Sequence, residues 1–151
     1  MSSLTLFFDC CAVLEIASND RYNQFVNKLN NNGHRKCISI TVAGEIIQQC
    51  LLKSRQFDVH DIIDYLKFNN FEIVPTDDAV REWCMEVDER LRSTYGSSVT
   101  DRTHLAYALA YQSSFFITSQ GEVRSLGGKD MFSDNGLKLV TLDELKDFFK
   151  F

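Results

Sequence analysis

The chain has little of what disordered, membrane-spanning or disulfide-stapled proteins depend on. It contains one proline and seven glycines among 151 residues, too few for a flexible low-complexity chain. No apolar run approaches the roughly 20 residues that cross a bilayer, and the opening Met1-Ser-Ser-Leu-Thr lacks the basic segment of a signal peptide. We therefore expect a single compact domain over residues 1–151, with no membrane partner.

The five cysteines have the spacing of neither a disulfide framework nor a metal-binding motif. Their number is odd and no two form a Cys-x-x-Cys pair, which excludes a zinc ribbon and a thioredoxin-type site. This usage is typical of the reducing cytoplasm, where we expect the protein to reside. Cys10 and Cys11 are adjacent in an apolar stretch that we interpret as a buried strand.

The chain also lacks an excess of positive charge. Lysine and arginine total 16 against 21 aspartates and glutamates, so the formal net charge is −5. This balance argues against non-specific nucleic-acid binding through a basic surface. It leaves open an enzyme that reaches a phosphate backbone through bound metal cations, because these reverse the local sign of the charge.

Short apolar runs alternate with stretches of helical periodicity along the whole chain. Strands are predicted at 4–8, 37–40, 71–74, from Phe115, and at 137–140. Helices are predicted at 19–32, from Thr41, after Asp58, after 76–78, from Asp101, and at 142–149. This alternation indicates an α/β fold with right-handed crossovers and a mainly parallel sheet covered on both faces.

Three acidic residues occupy comparable positions in this pattern. Asp9 follows the first strand, Glu45 lies early in the helix after the second, and Asp101 opens the helix before the fourth. All three can converge on one edge of the sheet, where α/β proteins hold their ligands. Because clustered carboxylates repel one another unless a cation neutralises them, and because oxygen ligands suit hard ions, we expect Mg²⁺ or Mn²⁺.

Each candidate residue also has a purely structural explanation. Asp9 alone reads as a turn residue, Glu45 as an exposed helical charge, and Asp101 as a helix N-cap. These explanations weaken when the three acids occur together in this order. For His104, one turn after Asp101, a buried histidine satisfied by hydrogen bonds is favoured over a residue that faces the cleft.

Four segments around these acids resemble the PIN domain family. They read Leu6-Phe-Phe-Asp9-Cys-Cys-Ala-Val-Leu, Ile38-Ser-Ile-Thr-Val-Ala-Gly-Glu45-Ile-Ile, Val99-Thr-Asp101-Arg-Thr-His104-Leu-Ala-Tyr-Ala-Leu-Ala and Phe116-Ile-Thr118-Ser-Gln120-Gly-Glu122-Val. Each motif is weak alone, but four in the family's order are fairly specific. PIN domains are Mg²⁺- or Mn²⁺-dependent ribonucleases and include VapC-type toxins.

The resemblance implies a three-layer α/β/α sandwich with a mainly parallel central sheet of four to five strands. It implies an endoribonuclease that cleaves RNA phosphodiester bonds, with Mg²⁺ or Mn²⁺ as cofactor. It also implies a homodimer, with residues 46–66 as a candidate interface, and an antitoxin-like protein partner. The implied catalytic residues are Asp9, Glu45 and Asp101, the metal ligands are these three with Glu122, and the substrate-binding residues are Arg102, Ser119, Gln120 and Arg124.

Two departures from the family pattern keep other functions open. Cys11 stands where the family has Ser, Thr or Asn, and Gln120 stands at the fourth acidic position. Because Gln120 brings no negative charge, the alternative is a weakened or inactive module that binds RNA or a protein. A phosphotransfer protein is disfavoured, since Asp9-Cys10-Cys11 lacks the Asp-x-Asp of haloacid dehalogenase-like phosphatases and 118–120 lacks a receiver domain's lysine.

Overall fold

A parallel β-sheet forms the centre of the molecule, seen in a computed structural model that describes residues 2–52, 58–93 and 98–151. Its strands are β1 (Thr5–Phe8), β2 (Arg35–Ser39), β3 (Phe71–Val74), β4 (Phe115–Ile117) and β5 (Lys138–Val140). They lie in the order β3-β2-β1-β4-β5, and every neighbouring pair runs parallel. The predicted parallel sheet is confirmed.

Helices cover both faces of this sheet. In the described ranges they are α1 (Cys10–Ser18), α2 (Asn23–Asn31), α3 (Ile40–Leu52), α4 (Val59–Phe68), α5 (Asp78–Leu91), α6 (Val99–Ala110), α7 (Gly121–Arg124), α8 (Asp130–Ser133) and α9 (Leu142–Phe149). The buried side chains of α1 to α4 and α9 belong to one apolar cluster, and those of α5 to α8 belong to the other. This arrangement confirms the predicted α/β/α sandwich. No helix that the structure describes is both long and apolar enough to span a membrane.

The central strands are apolar on both sides because each contributes to both clusters. In β1, Leu6 and Phe8 pack into the cluster with α1 to α4, whereas Phe7 packs into the cluster with α5 and α6. In β4, Phe115 and Ile117 face the first cluster and Phe116 the second. Strands buried on both faces therefore read as continuous apolar runs without alternation.

The interpretation of Cys10 and Cys11 as part of a strand was wrong. β1 ends at Phe8, and both cysteines lie in the first turn of α1. The Asp9 side chain caps this helix, since Oδ1 accepts a hydrogen bond of 2.8 Å from the Cys10 amide. The stretch 10–16 is almost wholly apolar, and hydropathy alone does not separate a buried helix from a buried strand.

Two further boundaries differ from the prediction. The predicted helix 19–32 is divided into a 3₁₀ turn (Asp20–Tyr22) and α2. The segment between β4 and β5, for which no helix is predicted, contains α7, α8 and a second 3₁₀ turn (Ser125–Gly128). Glycine and polar residues in this segment hide helices of only about one turn each, which have little periodicity to detect.

A lysine is buried in the middle of this apolar packing. Lys36 in β2 is 1% exposed, and its Nζ donates a hydrogen bond to Asn30 Oδ1 and lies 5.3 Å from the centre of the Phe71 ring. Burial lowers the pKa of the Lys36 ammonium from 10.5 to about 8. The charged form of this side chain therefore destabilises the native state.

Lys36→Met should raise the melting temperature at pH 7, and the gain should shrink as the pH rises from about 8 to 10.5. In this window the unfolded chain still binds the lysine proton that the folded chain has released, so wild type gains stability with pH. Melting curves of both proteins test the prediction, with exposed Lys67→Met as control. The quantity to follow is the difference in melting temperature between Lys36→Met and wild type at each pH. Burial raises the pKa of the Cys10 and Cys37 thiols from 9.0 to about 12, so both proteins lose stability above about pH 9, and the difference removes this shared loss. A gain that is constant with pH would contradict the prediction.

Candidate active site

The carboxyl edge of the sheet has a single reversal of strand order at its centre. From β1 the chain proceeds to β2 and β3 on one side, then crosses to β4 and β5 on the other. Side chains that follow β1 and β4 therefore meet at a topological switch point, where open α/β sheets bind ligands. Asp9 directly follows β1 and Thr118 directly follows β4.

The Asp9 carboxylate is held by groups from both of these strands. The side chain is 2% exposed, and Oδ2 accepts a hydrogen bond of 2.8 Å from Thr118 Oγ1, in addition to the Cys10 amide on Oδ1. The Asp9 amide itself donates to the Ile117 carbonyl at 2.9 Å. Position and orientation of this carboxylate are thus fixed by β1, α1 and the end of β4.

Burial raises the pKa of Asp9 above its usual value of 3.8, and the negative charge of Glu45 adds to the rise. The neighbouring His104 and the hydrogen bonds from Thr118 and the Cys10 amide act in the opposite direction. A carboxylate so placed is stabilised in its charged form by a nearby cation.

Glu45 and His104 complete a cluster with Asp9. Glu45 lies in the second turn of α3, and His104, which is 1% exposed, lies in α6. His104 Nε2 is 2.5 Å from Glu45 Oε1. One potential ligand atom from each of Asp9, Glu45 and His104 lies within 4.8 Å of the other two. Two carboxylates and an imidazole at this spacing are a donor set that fits a divalent metal ion.

Asp101 lies at the edge of this group. It is the third residue of α6, and the helix is capped by Ser98, whose Oγ accepts a hydrogen bond of 3.0 Å from the Asp101 amide. Ser98 rather than Asp101 is therefore the N-cap. Among described residues, the three-member cluster includes neither Asp101 nor the exposed Glu122. Their role as metal ligands stays a prediction.

Comparison with protein families gives a match to the PIN domain over residues 6–128. The chain belongs to the PIN domain family. The matched residues include Asp9, Glu45 and Asp101, so the acids singled out in the sequence lie within the matched segment. Comparison with curated proteins gave no significant match.

Solved structures with the same fold include toxin–antitoxin proteins. VapBC2 from Rickettsia felis, bound to a DNA fragment from its promoter, is similar with a TM-score of 0.69 at 15% identity, over 91% of this chain and 98% of that one. PAE2754 from Pyrobaculum aerophilum gives 0.65 at 14% identity, over 99% and 98%. DNA-bound VapBC from Salmonella typhimurium gives 0.60 at 15% identity, over 91% and 98%. At these identities the likeness shows the fold.

An open cavity lies beside the cluster of this PIN domain, between α3 and the start of α6. Its volume is about 320 Å³. The lining residues are Thr41, Gly44, Glu45, Gln48, Val99, Thr100 and Thr103. Glu45 therefore belongs both to the cluster and to the lining of this open cavity.

The two arginines predicted to bind substrate lie in different surroundings. Arg102 is 8% exposed, and its Nη2 and Nε lie 3.0 and 3.1 Å from Asp88 Oδ1, so its guanidinium faces α5. Arg124 is partly exposed, with Nη1 3.8 Å from Glu144, and lines a second cavity of about 500 Å³ with Lys138. A phosphate contact by Arg102 would have to compete with its ion pair.

In the turn after β4, the main-chain amides of Ser119 and Gln120 donate hydrogen bonds to side chains next to the cluster. The Ser119 amide donates to Cys11 Sγ at 3.4 Å, and the Gln120 amide donates to Thr118 Oγ1 at 3.1 Å. Cys11 Sγ in turn lies 3.7 Å from Asp9 Oδ2. The side chains of Ser119 and Gln120 are exposed, so contact with substrate by either one remains a prediction.

Sequence reasoning did not assign three hydroxyl residues that organise the site. Thr118 binds Asp9, while Ser39 and Thr41 connect the end of β2 to His104. Ser39 also caps α3, since its Oγ accepts from the Val42 amide at 3.0 Å, and the helix begins at Ile40, one residue before the predicted start at Thr41. These residues could have been found in the sequence as serines and threonines at, or just after, the last residue of a buried strand.

Proposed function

We propose that this PIN domain is a metal-dependent endoribonuclease that cleaves RNA phosphodiester bonds. One observation supports it above all others: Asp9, Glu45 and His104 converge within 4.8 Å at the switch point of the sheet. Two of these are acids that the family resemblance assigns to the metal. The buried position of Asp9 supports the same conclusion, because its charged form requires compensation.

Asp9 and Glu45 would hold Mg²⁺ or Mn²⁺, with Asp101 and Glu122 as the further proposed ligands. Such an ion stabilises phosphoryl charge as a Lewis acid and lowers the pKa of water. Thr118 and the Cys10 amide keep the Asp9 carboxylate in one orientation. The net charge of −5 would otherwise disfavour an RNA backbone near these acids.

Substrate contacts are proposed for the residues that flank this site. Ser119, Gln120 and Arg124 lie on the segment that leaves β4, and Arg102 lies one residue after Asp101. These four residues would position an RNA chain beside the acids, where its phosphodiester bond would be cleaved. Phosphate contacts by exposed or partly exposed side chains give affinity without base selectivity.

Asp101→Asn should reduce Mn²⁺-dependent cleavage of a fluorescent RNA by about 100-fold or more, since a lost metal contact removes several kcal/mol of transition-state stabilisation. The control is Asp64→Asn, an exposed carboxylate on α4, which should cleave at the wild-type rate. No metal-dependent cleavage by wild type, or equal rates for wild type and Asp101→Asn, would overturn the proposal.

A second candidate function is a catalytically weakened module that retains the fold and binds RNA or a protein partner. Gln120 favours it, because an uncharged side chain stands at the position after β4 where the family has an acid. Titration with Mn²⁺ distinguishes the two functions: absence of binding at millimolar concentration supports the weakened module.

Gln120→Asp should raise Mn²⁺-dependent cleavage about tenfold, because a carboxylate beside Thr118 adds negative charge for the cation. Single-turnover cleavage at saturating RNA measures the effect. Gln24→Asp on the exposed surface of α2 adds the same charge away from the site and should leave the rate unchanged. A rate for Gln120→Asp at or below wild type would show that this position limits neither metal binding nor turnover.

We further propose that the protein is the toxin of a cytoplasmic toxin–antitoxin pair and forms a homodimer, with residues 1–151 as a single domain. The neighbours from Rickettsia felis and Salmonella typhimurium, both VapBC, support an antitoxin partner. The proposed dimer surface, 46–66, includes exposed Ile47 and Leu51 on α3. Residues 53–57 of that surface lie outside the described residues.

A further inference from the structure

A continuous chain of hydrogen bonds runs from the end of β2 to the Glu45 carboxylate. The Val42 amide donates to Ser39 Oγ at 3.0 Å, and Ser39 Oγ lies 2.8 Å from Thr41 Oγ1. Thr41 Oγ1 lies 3.0 Å from His104 Nδ1, and His104 Nε2 lies 2.5 Å from Glu45 Oε1. The chain joins β2, α3 and α6 through side chains that are buried or partly buried.

The Glu45 end of this chain sets the direction in which its protons point, and the Val42 end is compatible with that direction. A carboxylate oxygen such as Glu45 Oε1 accepts hydrogen bonds, and an amide such as that of Val42 can only donate. His104 Nε2 is therefore the donor to Glu45, and the other ring nitrogen, Nδ1, can accept from Thr41. Thr41 donates to Nδ1 and accepts from Ser39, so that each hydroxyl donates once and accepts once.

This assignment decides between two roles for His104. Nε2 is the ring nitrogen nearest the acids, and a nitrogen that carries a proton has no lone pair to offer a metal ion. The opposite tautomer would leave Nε2 and Glu45 Oε1 facing each other at 2.5 Å without a proton between them. The hydrogen-bond network is satisfied only when His104 donates to Glu45.

We propose that His104 is a positioning residue that donates to Glu45 Oε1, leaving Oε2 for the metal, and that Thr41, which contacts Ser39, holds the His104 ring in this orientation. The effect on metal binding rests on the proposed metal-dependent function, whereas the hydrogen bonds of His104 do not. The metal would then be bound through oxygen alone, despite the imidazole in the cluster. Partners that orient a ligand from outside the coordination sphere typically change metal affinity by 10- to 100-fold when removed.

The first test reads the tautomer in the metal-free protein. Nitrogen-15 chemical shifts of the His104 ring should show a proton on Nε2 and a bare Nδ1 in wild type. Thr41→Val removes the donor to Nδ1 with little change in side-chain volume, so the Nδ1 shift should change while the proton stays on Nε2. The control is Thr5→Val in β1, which should leave the His104 shifts unchanged. A wild-type ring protonated on Nδ1 alone would overturn the proposal.

The second test measures Mn²⁺ affinity by electron paramagnetic resonance in proteins of matched thermal stability. His104→Leu should weaken binding at least about tenfold, and Thr41→Val by a similar factor. His104→Gln keeps an N–H donor near the position of Nε2 and should remain within about threefold of wild type. Pulsed measurements on the wild-type Mn²⁺ complex should show no directly coordinated nitrogen.

The outcomes separate this proposal from the function on which it rests. Coordinated nitrogen in the Mn²⁺ complex, or unchanged affinity in His104→Leu, would overturn the positioning role while leaving a metal-dependent enzyme intact. Absence of Mn²⁺ binding by wild type would overturn the proposed function, and the tautomer measurement would still decide the hydrogen-bond chain.

Discussion

Asp9→Asn should abolish Mn²⁺-dependent RNA cleavage while leaving the protein folded, and this is the largest functional effect we expect. The rate should fall on the order of 1,000-fold or more, because the most buried of the proposed metal ligands loses its charge. The replacement is nearly isosteric. Its oxygen can still accept from the Cys10 amide, so the cap of α1 survives.

The stability of Asp9→Asn distinguishes lost chemistry from lost structure. Burial raises the pKa of Asp9, so the folded protein binds this proton more tightly than the unfolded chain does. Stability is therefore lost as pH rises through the folded-state pKa, and a neutral amide avoids that loss. In the absence of metal, Asp9→Asn should melt at or above the wild-type temperature at pH 7, and the difference should vanish below about pH 4.

Metal should reverse this ranking. Mn²⁺ at about 100 times its dissociation constant stabilises a protein that binds it by about 2.7 kcal/mol, so wild type should gain melting temperature and Asp9→Asn should not. Calorimetric scans with and without Mn²⁺ measure both quantities. A variant that is inactive because it has unfolded would show no transition at all, and a variant that cleaves RNA normally would remove Asp9 from the site.

Phe8→Ala should have the largest effect on stability. Phe8 is fully buried next to Asp9, and its ring packs against Phe71 with the ring centres 5.4 Å apart. Truncation of a buried phenylalanine typically costs about 3–5 kcal/mol, which for a domain of this length lowers the melting temperature by about 6–20 °C. Urea unfolding monitored by circular dichroism gives the free energy directly.

A surface phenylalanine provides the matched control. Phe68 at the end of α4 is 86% exposed, so Phe68→Ala should change the free energy of unfolding by less than about 0.5 kcal/mol. Comparable losses for the two variants would contradict the assignment of Phe8 to the core. Because Phe8 immediately precedes Asp9, cleavage by Phe8→Ala should also decline at temperatures well below its melting point.

Much of the fold was predictable because strong local signals agree with the tertiary packing. The runs around Leu6 and Phe116 are apolar at every position, as strands covered on both faces require. Asp58 and Asp77 cap α4 and α5 at the predicted helix starts, accepting hydrogen bonds from the His60 and Val80 amides. Such caps involve groups two or three residues apart and can therefore be predicted from the sequence alone.

The missed features depend on contacts between residues far apart in sequence. Helix α1 was mistaken for strand because its face toward the sheet and its flank against α3 are both apolar. Thr118 could not be linked to Asp9, nor Thr41 to His104, because neither pairing has a local sequence pattern. For Asp101 and Glu122, the sequence shows that an acid is present but not where its carboxylate lies in the folded protein.

Thr118 and Asp9 are 109 residues apart in the chain, and β1 gains its pairing with β4 only when both have been made. During synthesis, β1, β2 and β3 emerge first, so a ribosome-bound chain that lacks β4 has an Asp9 with no partner from that strand. The centre of the sheet therefore cannot close until β4 has been made, and the hydrogen bond from Thr118 to Asp9 forms only then. The proposed nuclease would therefore have an incomplete site until residue 118 has been made.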